Sequence, residues 1–308
     1  MIVTLSLNPC IDRTICVDKF LYGGMNRSVS TRDDACGKAV NLALVASSLG
    51  AEAKCVGLLP VEDGQKIAAR LEKAGVLTQF LAVPGRLRVN IKLFDESQNV
   101  ITEINERGSP APDGTVDALW ALLEREIHEG DWLVLTGSMP GGFGTDYYAQ
   151  LAQRLGKRCR CVLDAEGEPL LAGISARPAM IKPNRAELEK LLSRKLHAFD
   201  EVLDAARKLH DDGIERVVVS LGEEGALMVD DEGALFAPAL KVCVRSTVGA
   251  GDSMIAGMLT GFARGCGREE AFSMGVAAAA SSVASEGTQL VDAQVYCRMA
   301  EKTIVRRL

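Results

Sequence analysis

Residues 246–253 read Ser246-Thr247-Val248-Gly249-Ala250-Gly251-Asp252-Ser253. Upstream, Lys241-Arg245 predicts a strand; downstream, Ser253-Arg264 has the apolar period of a helix. Strand, glycine turn and helix in succession form the repeating unit of an α/β fold. Glycines permit a tight turn and close approach of backbone to a ligand. The first N–H groups of the helix lack partners and lie at the positive end of its dipole, so the turn is suited to an anion. An aspartate there is placed to take a proton from a hydroxyl that attacks a phosphate held by those N–H groups. Taken alone, the turn is better explained by Asp252 capping the helix or sitting in its first turn.

The same rhythm extends in both directions. Ile2-Leu7, Ala53-Leu59, Trp132-Thr136, Arg160-Leu163, Ala179-Ile181 and Arg216-Ser220 predict buried strands. Helices are expected at Asn41-Leu49, Asp63-Ala74, Val116-His128, Asp146-Arg154, Arg185-Leu192 and Glu201-His210, then at Glu269-Ser285 and Asp292-Val305. Such alternation predicts a mostly parallel sheet. Two stretches, Asp12-Arg32 and Leu87-Glu106, lack intervening helices. In the second, Leu87, Val89, Ile91 and Leu93 alternate with Arg88, Asn90, Lys92 and Phe94, giving one apolar and one largely polar face. The two stretches form either a small accessory sheet or a pair of surface hairpins. The Ala277-Ala280 run in a helix indicates close helix packing.

The chain has 308 residues, 47% hydrophobic and 25% charged, with a formal charge of −6. This is an ordinary globular composition, without the basic runs that nucleic acid or anionic membrane would require. Positive charge for an anionic substrate must therefore be concentrated locally. Nine scattered cysteines form no C-x-x-C pair, and the histidines lie far from any cysteine pair, so neither a zinc site nor a disulfide framework is expected. The chain enters an apolar strand with no basic start or cleavage signal, and no apolar run is long enough for a bilayer, so a cytoplasmic location is expected.

Four further motifs carry double readings. Lys38, in Cys36-Gly37-Lys38-Ala39-Val40-Asn41, stands at a helix start where a cation opposes the dipole; it either shares an anion with that helix or reaches solvent. Asn184 and Glu187, in Lys182-Pro183-Asn184-Arg185-Ala186-Glu187, form a capping box or hold a metal–phosphate group through water. Ser220-Leu221-Gly222-Glu223-Glu224-Gly225 is a hairpin on which a nucleotide could rest. Gly137-Ser138-Met139-Pro140, after a strand, suits a substrate loop; Thr136 in the first position of G-x-S-x-G excludes a nucleophile elbow. The 249–254 run fails the dinucleotide fingerprint at its last position, and no Walker-type loop occurs. Anion-friendly turns, one placed acid and no covalent nucleophile together fit phosphoryl transfer by positioning and electrostatics.

Thr247-Val248-Gly249-Ala250-Gly251-Asp252-Ser253-Met254 resembles the C-terminal signature of the PfkB (ribokinase-like) sugar kinases, and Gly37-Lys38-Ala39-Val40-Asn41 the N-terminal one. Leu7-Asn8-Pro9-Cys10-Ile11-Asp12, Arg88-Val89-Asn90-Ile91-Lys92-Leu93, Gly137-Ser138-Met139-Pro140, Lys182-Pro183-Asn184-Arg185-Ala186-Glu187 and Ser220-Leu221-Gly222-Glu223-Glu224-Gly225 match in family order, so the resemblance spans essentially the whole chain. Lys38 together with Arg88-Leu93 is most similar to the branch acting on fructose 1-phosphate and tagatose 6-phosphate.

The resemblance implies a ribokinase-like three-layer α/β sandwich in one domain of residues 1–308, with a small β-sheet lid from insertions near 12–33 and 86–107. It implies transfer of the ATP γ-phosphate to a ketohexose monophosphate, fructose 1-phosphate first, with tagatose 6-phosphate or fructose 6-phosphate as alternatives. A catalytically silent sugar-phosphate sensor is the rival class. Asp252 would be the base, with Gly249, Ala250 and Gly251 as the anion hole. Asp12, Asn41, Gly37 and Ser138 would meet the sugar, and Lys38 and Arg88, with Arg27 and Asn90, its phosphate. Lys182, Ser220, Gly222, Gly225 and Thr247 would contact ATP; Asn184 and Glu187 would organise Mg²⁺. K⁺ is a further cation the resemblance admits, and the lid would pair two copies in a homodimer. Cys36 and Ala39 depart from the glycines usual in the N-terminal signature. Glu166 adds charge where the family often has a hydroxyl.

Overall fold

The computed structural model describes residues 1–285 and 291–308. Its first third contains β1 (Ile2–Ser6), β2 (Cys10–Val17), β3 (Ser30–Cys36), α1 (Lys38–Ser48), β4 (Ala53–Glu62), α2 (Gln65–Lys73), β5 (Leu77–Arg86), β6 (Arg88–Asp95) and β7 (Val100–Asn105). The middle contains α3 (Thr115–Glu126), β8 (Trp132–Thr136), α4 (Tyr147–Leu155), β9 (Arg160–Asp164), α5 (Glu168–Ile174), β10 (Met180–Ile181), α6 (Arg185–Leu192), α7 (Phe199–Asp211) and β11 (Arg216–Ser220). The last third contains β12 (Ala226–Asp230), β13 (Gly233–Ala237), α8 (Ala250–Ala263), α9 (Arg268–Val283), α10 (Ala293–Lys302) and β14 (Arg306–Arg307).

Ten strands form one sheet in the order β14-β13-β12-β11-β10-β9-β8-β1-β4-β5, parallel from β11 to β5. Side chains alternate across it, so Val3 and Leu5 of β1 enter one core while Ile2 enters the other. Helices α3 to α7 bury Leu119, Tyr148, Leu170, Leu188 and Val202 in the first core. Helices α1, α2, α8 and α9 bury Val40, Ile67, Ile255 and Phe272 in the second. The result is the expected three-layer α/β sandwich.

The helices that lead from β1 through β4 to β5 thus lie on one face, and those from β5 through β8 to β11 on the other. The crossovers part company between β1 and β8, and the crevice at such a switch point, beyond the carboxyl ends of the strands, is where an open sheet binds ligands. The second sheet, in the order β3-β2-β6-β7, stands at this end. Both insertions contribute two strands to it, which selects the accessory sheet over separate hairpins.

Lys241-Arg245 is not a strand. The edge of β13 is already taken by β14, and the backbone of Arg245 donates to the Val283 carbonyl at the end of α9, at 2.9 Å. The edge strand β5, helix α5 and strand β13 were not anticipated. Helices α8 and α9 pack as the small residues indicated: a Cβ on Gly257 would lie 2.5 Å from the Met274 carbonyl oxygen, and one on Gly261 2.7 Å from Ala271 Cα. Among the described residues, no helix is long and apolar enough to cross a membrane.

Candidate active site

The crevice holds a cleft of about 1020 Å³ and an adjoining recess of about 520 Å³. Gly37, Lys38, Arg88 and Asn90 line both. Strand ends supply most of the polar groups: Ser138 after β8, Asp164 ending β9, Lys182 after β10 and Ser220 ending β11.

Helix α8 starts where the sequence placed it. Gly249, at φ 78°, takes the left-handed conformation that turns the chain into the helix. The N–H groups of Gly251 and Asp252 have no backbone acceptor among the described residues. Asp252 stands in the first turn of α8, one of the two places its position suggested, and among the described residues its side chain caps no helix N–H group. It is 5% exposed, and Asn41 Nδ2 donates to its Oδ2 at 3.3 Å. Burial, then the negative charge of Asp164, pushes the Asp252 carboxyl up to about 6; Lys38, the Asn41 hydrogen bond and Lys182 oppose the rise.

Asp164 was not among the expected site residues, yet it organises the centre. Its Oδ2 accepts from Thr136 Oγ1 at 3.1 Å and meets Lys38 Nζ at 3.4 Å, while its Oδ1 meets Lys182 Nζ at 3.3 Å. Burial alone would raise this carboxyl, but Lys182 and Lys38 outweigh it and bring it down to about 2. In turn the Asp164 charge raises Lys38, whose ammonium is held firmly protonated. Two buried carboxylates thus differ in kind: one is a fixed counter-ion, the other titrates near neutrality, and such a separation marks acid–base assignments. The signal for Asp164 was an acid ending the apolar run Cys161-Val162-Leu163 at a strand's C-terminal end.

Lys38 stands at the junction of the two recesses, beside Asp164 and near Asp252, and is not confined to a distant clamp for the substrate's phosphate. Lys182 lies so close to the α8 turn that a Cβ on Gly251 would come within 2.8 Å of its Nζ. The pair also explains the glycine: at that position backbone and ammonium share one small volume.

The parallel register of β2 and β6 sets Asp12 beside Asn90. Asn90 Nδ2 donates to Asp12 Oδ1 at 3.0 Å, and Lys92 Nζ bonds Asp12 Oδ2. Burial would raise Asp12, but the Lys92 charge and these hydrogen bonds outweigh it, so it stays below the usual carboxylate range. The polar face of β6 therefore turns inward. Lys92 was legible as part of that alternation but not as a site residue. Arg88 is held by Asn8 O at 3.1 Å and Asn90 Oδ1 at 2.9 Å, and Asn8 Nδ2 reaches Ser138 Oγ at 3.2 Å. Arg107, also unanticipated, lines the smaller recess, as do Glu166 and Ala39. Two departures from the family signature thus fall in the recess itself, and the third, Cys36, on the larger cleft.

Arg27 lies elsewhere. The β2–β3 ladder runs from Cys10↔Cys36 beside the body to Cys16↔Ser30 at its far end. Arg27 is exposed in the connection beyond that end and lines neither recess. About six residues of strand, roughly 20 Å at 3.3 Å each, separate it from Lys38 and Arg88.

The larger cleft continues past Ser220, Gly222, Gly225 and Thr247 between apolar walls from Ala226, Leu240, Val248, Val276 and Val283. Ser220 ends β11, and Gly222–Glu224 form a 3₁₀ turn before β12, giving the expected hairpin. Gly225 can only be glycine: its φ is 121°, and a Cβ would sit 2.0 Å from Ala237 O. Asn184 and Glu187 form the full capping box, at 2.9 and 2.8 Å, and still line the cleft. Glu187 Oε1 has no hydrogen bond among those of the described residues. An oxygen-seeking cation bound through waters fits this pair, since the cap engages only one carboxylate oxygen.

The family model described as pfkB family carbohydrate kinase matches residues 4–294. The 1-phosphofructokinase of Rhodobacter capsulatus is 34% identical over 309 residues, spanning 100% of this chain and 98% of the relative. That of Bacillus subtilis strain 168 is 33% identical, covering 93% of each. Among solved structures, phosphofructokinase-2 from Escherichia coli in complex with substrates and products superposes with a TM-score of 0.92 at 29% identity, covering 98% of both chains.

Proposed function

From the premise that this chain belongs to the pfkB family of carbohydrate kinases, phosphotransferases with an alcohol acceptor, we propose that it phosphorylates a ketohexose monophosphate, fructose 1-phosphate at its 6-hydroxyl, using ATP. The observation that carries this is Asp252: a buried carboxyl poised near neutrality, at the head of a helix with free N–H groups, beside two lysines.

In this reading ATP lies along the apolar trench, with its γ-phosphate at the α8 turn. The Gly251 and Asp252 N–H groups, Lys38 and Lys182 stabilise the charge on the transferring phosphoryl group. The acceptor hydroxyl donates its proton to Asp252 while its oxygen forms a bond to the γ-phosphorus; the bond from that phosphorus to the β–γ bridging oxygen breaks, releasing ADP. Asn184 and Glu187 would hold Mg²⁺, which neutralises phosphate charge. Asp12 and Asn41 orient the sugar. Arg88, with Arg107 and Lys38, receives the phosphate that the sugar already carries. The smaller recess gathers Lys38, Arg88 and Arg107 around one opening, which suits a phosphate-bearing acceptor. The relatives named 1-phosphofructokinase support fructose 1-phosphate. Fructose 6-phosphate is the alternative, favoured by the complex of the Escherichia coli structural relative with that sugar.

A homodimer through the second sheet goes with this reading: Val100 and Ile104 lie exposed on its face away from Asn90. Light scattering on the purified chain decides it.

A coupled ADP-release screen of fructose 1-phosphate, fructose 6-phosphate, tagatose 6-phosphate and free sugars tests the acceptor. Turnover with fructose 1-phosphate well above the others is expected. Equal turnover with free sugars would reject the phosphate clamp, and binding with no turnover on any sugar phosphate would make the chain a sensor. Asp252→Ala should lower kcat at least about a hundredfold while ATP still binds; a near-native rate would remove Asp252 from its role.

A further inference from the structure

The antiparallel register of β2 and β3 sets Cys10 directly opposite Cys36. Their Sγ atoms are 3.5 Å apart, and Cys10 Sγ is 3.5 Å from Asp12 Oδ1. The three ligand atoms all lie within 4.8 Å of one another. Cys10 and Cys36 are 2% and 1% exposed, yet both line the larger cleft beside Asp12. Nothing in the proposed transfer uses a thiol.

We propose that Cys10, Cys36 and Asp12 form a site for a thiophilic divalent cation such as Zn²⁺, with its fourth position open to the cleft. A tetrahedral zinc with Zn–S of about 2.3 Å and Zn–O of about 2.0–2.2 Å has S···S edges of about 3.8 Å and S···O edges of about 3.5 Å. The two edges that meet at Cys10 Sγ, both 3.5 Å, come within a few tenths of an ångström of these, and the third lies within 4.8 Å. Asn90 Nδ2 donates to both Cys10 Sγ, at 3.3 Å, and Asp12 Oδ1, forming an outer layer that fixes the ligands. Lys92 occupies only Asp12 Oδ2, leaving Oδ1 to the cation. On binding, each thiol releases its proton to solvent. Two thiolates and one carboxylate then balance the dication and the Lys92 ammonium, so the loaded site is neutral.

The functional consequence rests on the reading of Asp12 as a sugar ligand. The cation and the sugar need the same carboxylate, so Zn²⁺ inhibits competitively against the acceptor and not against ATP.

The test titrates the chelator-treated enzyme, kept reduced by a non-thiol reductant, with Zn²⁺ by calorimetry and with Co²⁺ by near-ultraviolet absorption. Cys10→Ala and Cys36→Ala are made separately, and each should keep the native far-ultraviolet circular dichroism spectrum and a cooperative melt, which shows that it folds. One equivalent bound in the native chain, a thiolate-to-cobalt band, and binding at least about a hundredfold weaker in either variant are expected, a larger loss than an outer partner produces. Unchanged binding in both variants, or no thiolate band, overturns the site. Binding lost in both variants with inhibition that is not competitive with the acceptor upholds the site and refutes the place given to Asp12.

Discussion

Asp252→Asn should make the enzyme more stable while disabling it. The Asp252 carboxyl is raised from 3.8 to about 6 in the folded chain, where burial and the Asp164 charge both disfavour its ionised form. At about 1.4 kcal/mol per pH unit, this corresponds to roughly 3 kcal/mol at neutral pH, an upper figure because the asparagine must still fit the hydrogen bond from Asn41. The sign follows from proton binding. Between pH 3.8 and 6 the folded chain holds a proton on Asp252 that the unfolded chain has lost, so stability contributed by this group falls as pH rises through that window. Asparagine cannot ionise and escapes the fall. The gain should vanish near pH 4 and be complete above pH 7. With an unfolding entropy of about 2.1 cal/mol/K per residue, 308 residues convert 3 kcal/mol into a Tm increase of about 5 °C. Paired thermal melts of native and variant chains across pH 4–8 measure it. A variant with the native Tm at pH 8, or an offset that does not change with pH, would refute the reasoning about this carboxyl.

The same carboxyl should give kcat an acidic limb centred near pH 6, and a native profile flat down to pH 5 would exclude Asp252 as the base. Lys38→Ala should lower kcat by about a hundredfold or more, as expected for a cation at the transferring group, whereas Arg88→Ala should raise the acceptor KM by about tenfold to a hundredfold and spare the ATP KM; equal effects of both changes on KM alone would confine Lys38 to the clamp. Lys92→Met leaves Asp12 buried and unpaired and should cost about 3–5 kcal/mol in denaturant unfolding, and a loss under 1 kcal/mol would show that water reaches Asp12. Gly257→Ala forces α8 from α9 and should cost about 1–3 kcal/mol, seen as a lowered Tm; an unchanged melt would mean the helices yield freely.

Much of this was legible because local signals and tertiary roles agree. The 246–253 run turns on a left-handed residue that Gly249 supplies freely, and the helix that follows needs no distant partner to be recognised. The Asn184–Glu187 capping box was legible in the spacing alone, because cap and helix are local. What remained hidden depends on pairing between strands. Cys10 and Cys36 are 26 positions apart, and no spacing rule for metal ligands covers a register between two strands. Asp164 meets Lys38 and Lys182 only when β9 lies between β8 and β10. The 241–245 stretch alternates like a strand, but β14 fills the edge it would need, which no local pattern reveals. Arg27 was expected from the family resemblance, and the length of the β2–β3 ladder sets it apart from Lys38 and Arg88 within this chain.

The glycine contacts between α8 and α9 have a consequence for regiochemistry. Backbone meets backbone there, so the helix carrying Asp252 has no room to slide along its axis. Arg88 is likewise tied down, by Asn8 and Asn90. The span between the two is then a fixed gauge. Under the proposed function, a sugar held at one end by its phosphate would present to Asp252 whichever hydroxyl lies at the matching length, and specificity for one position on the acceptor becomes a measurement of distance.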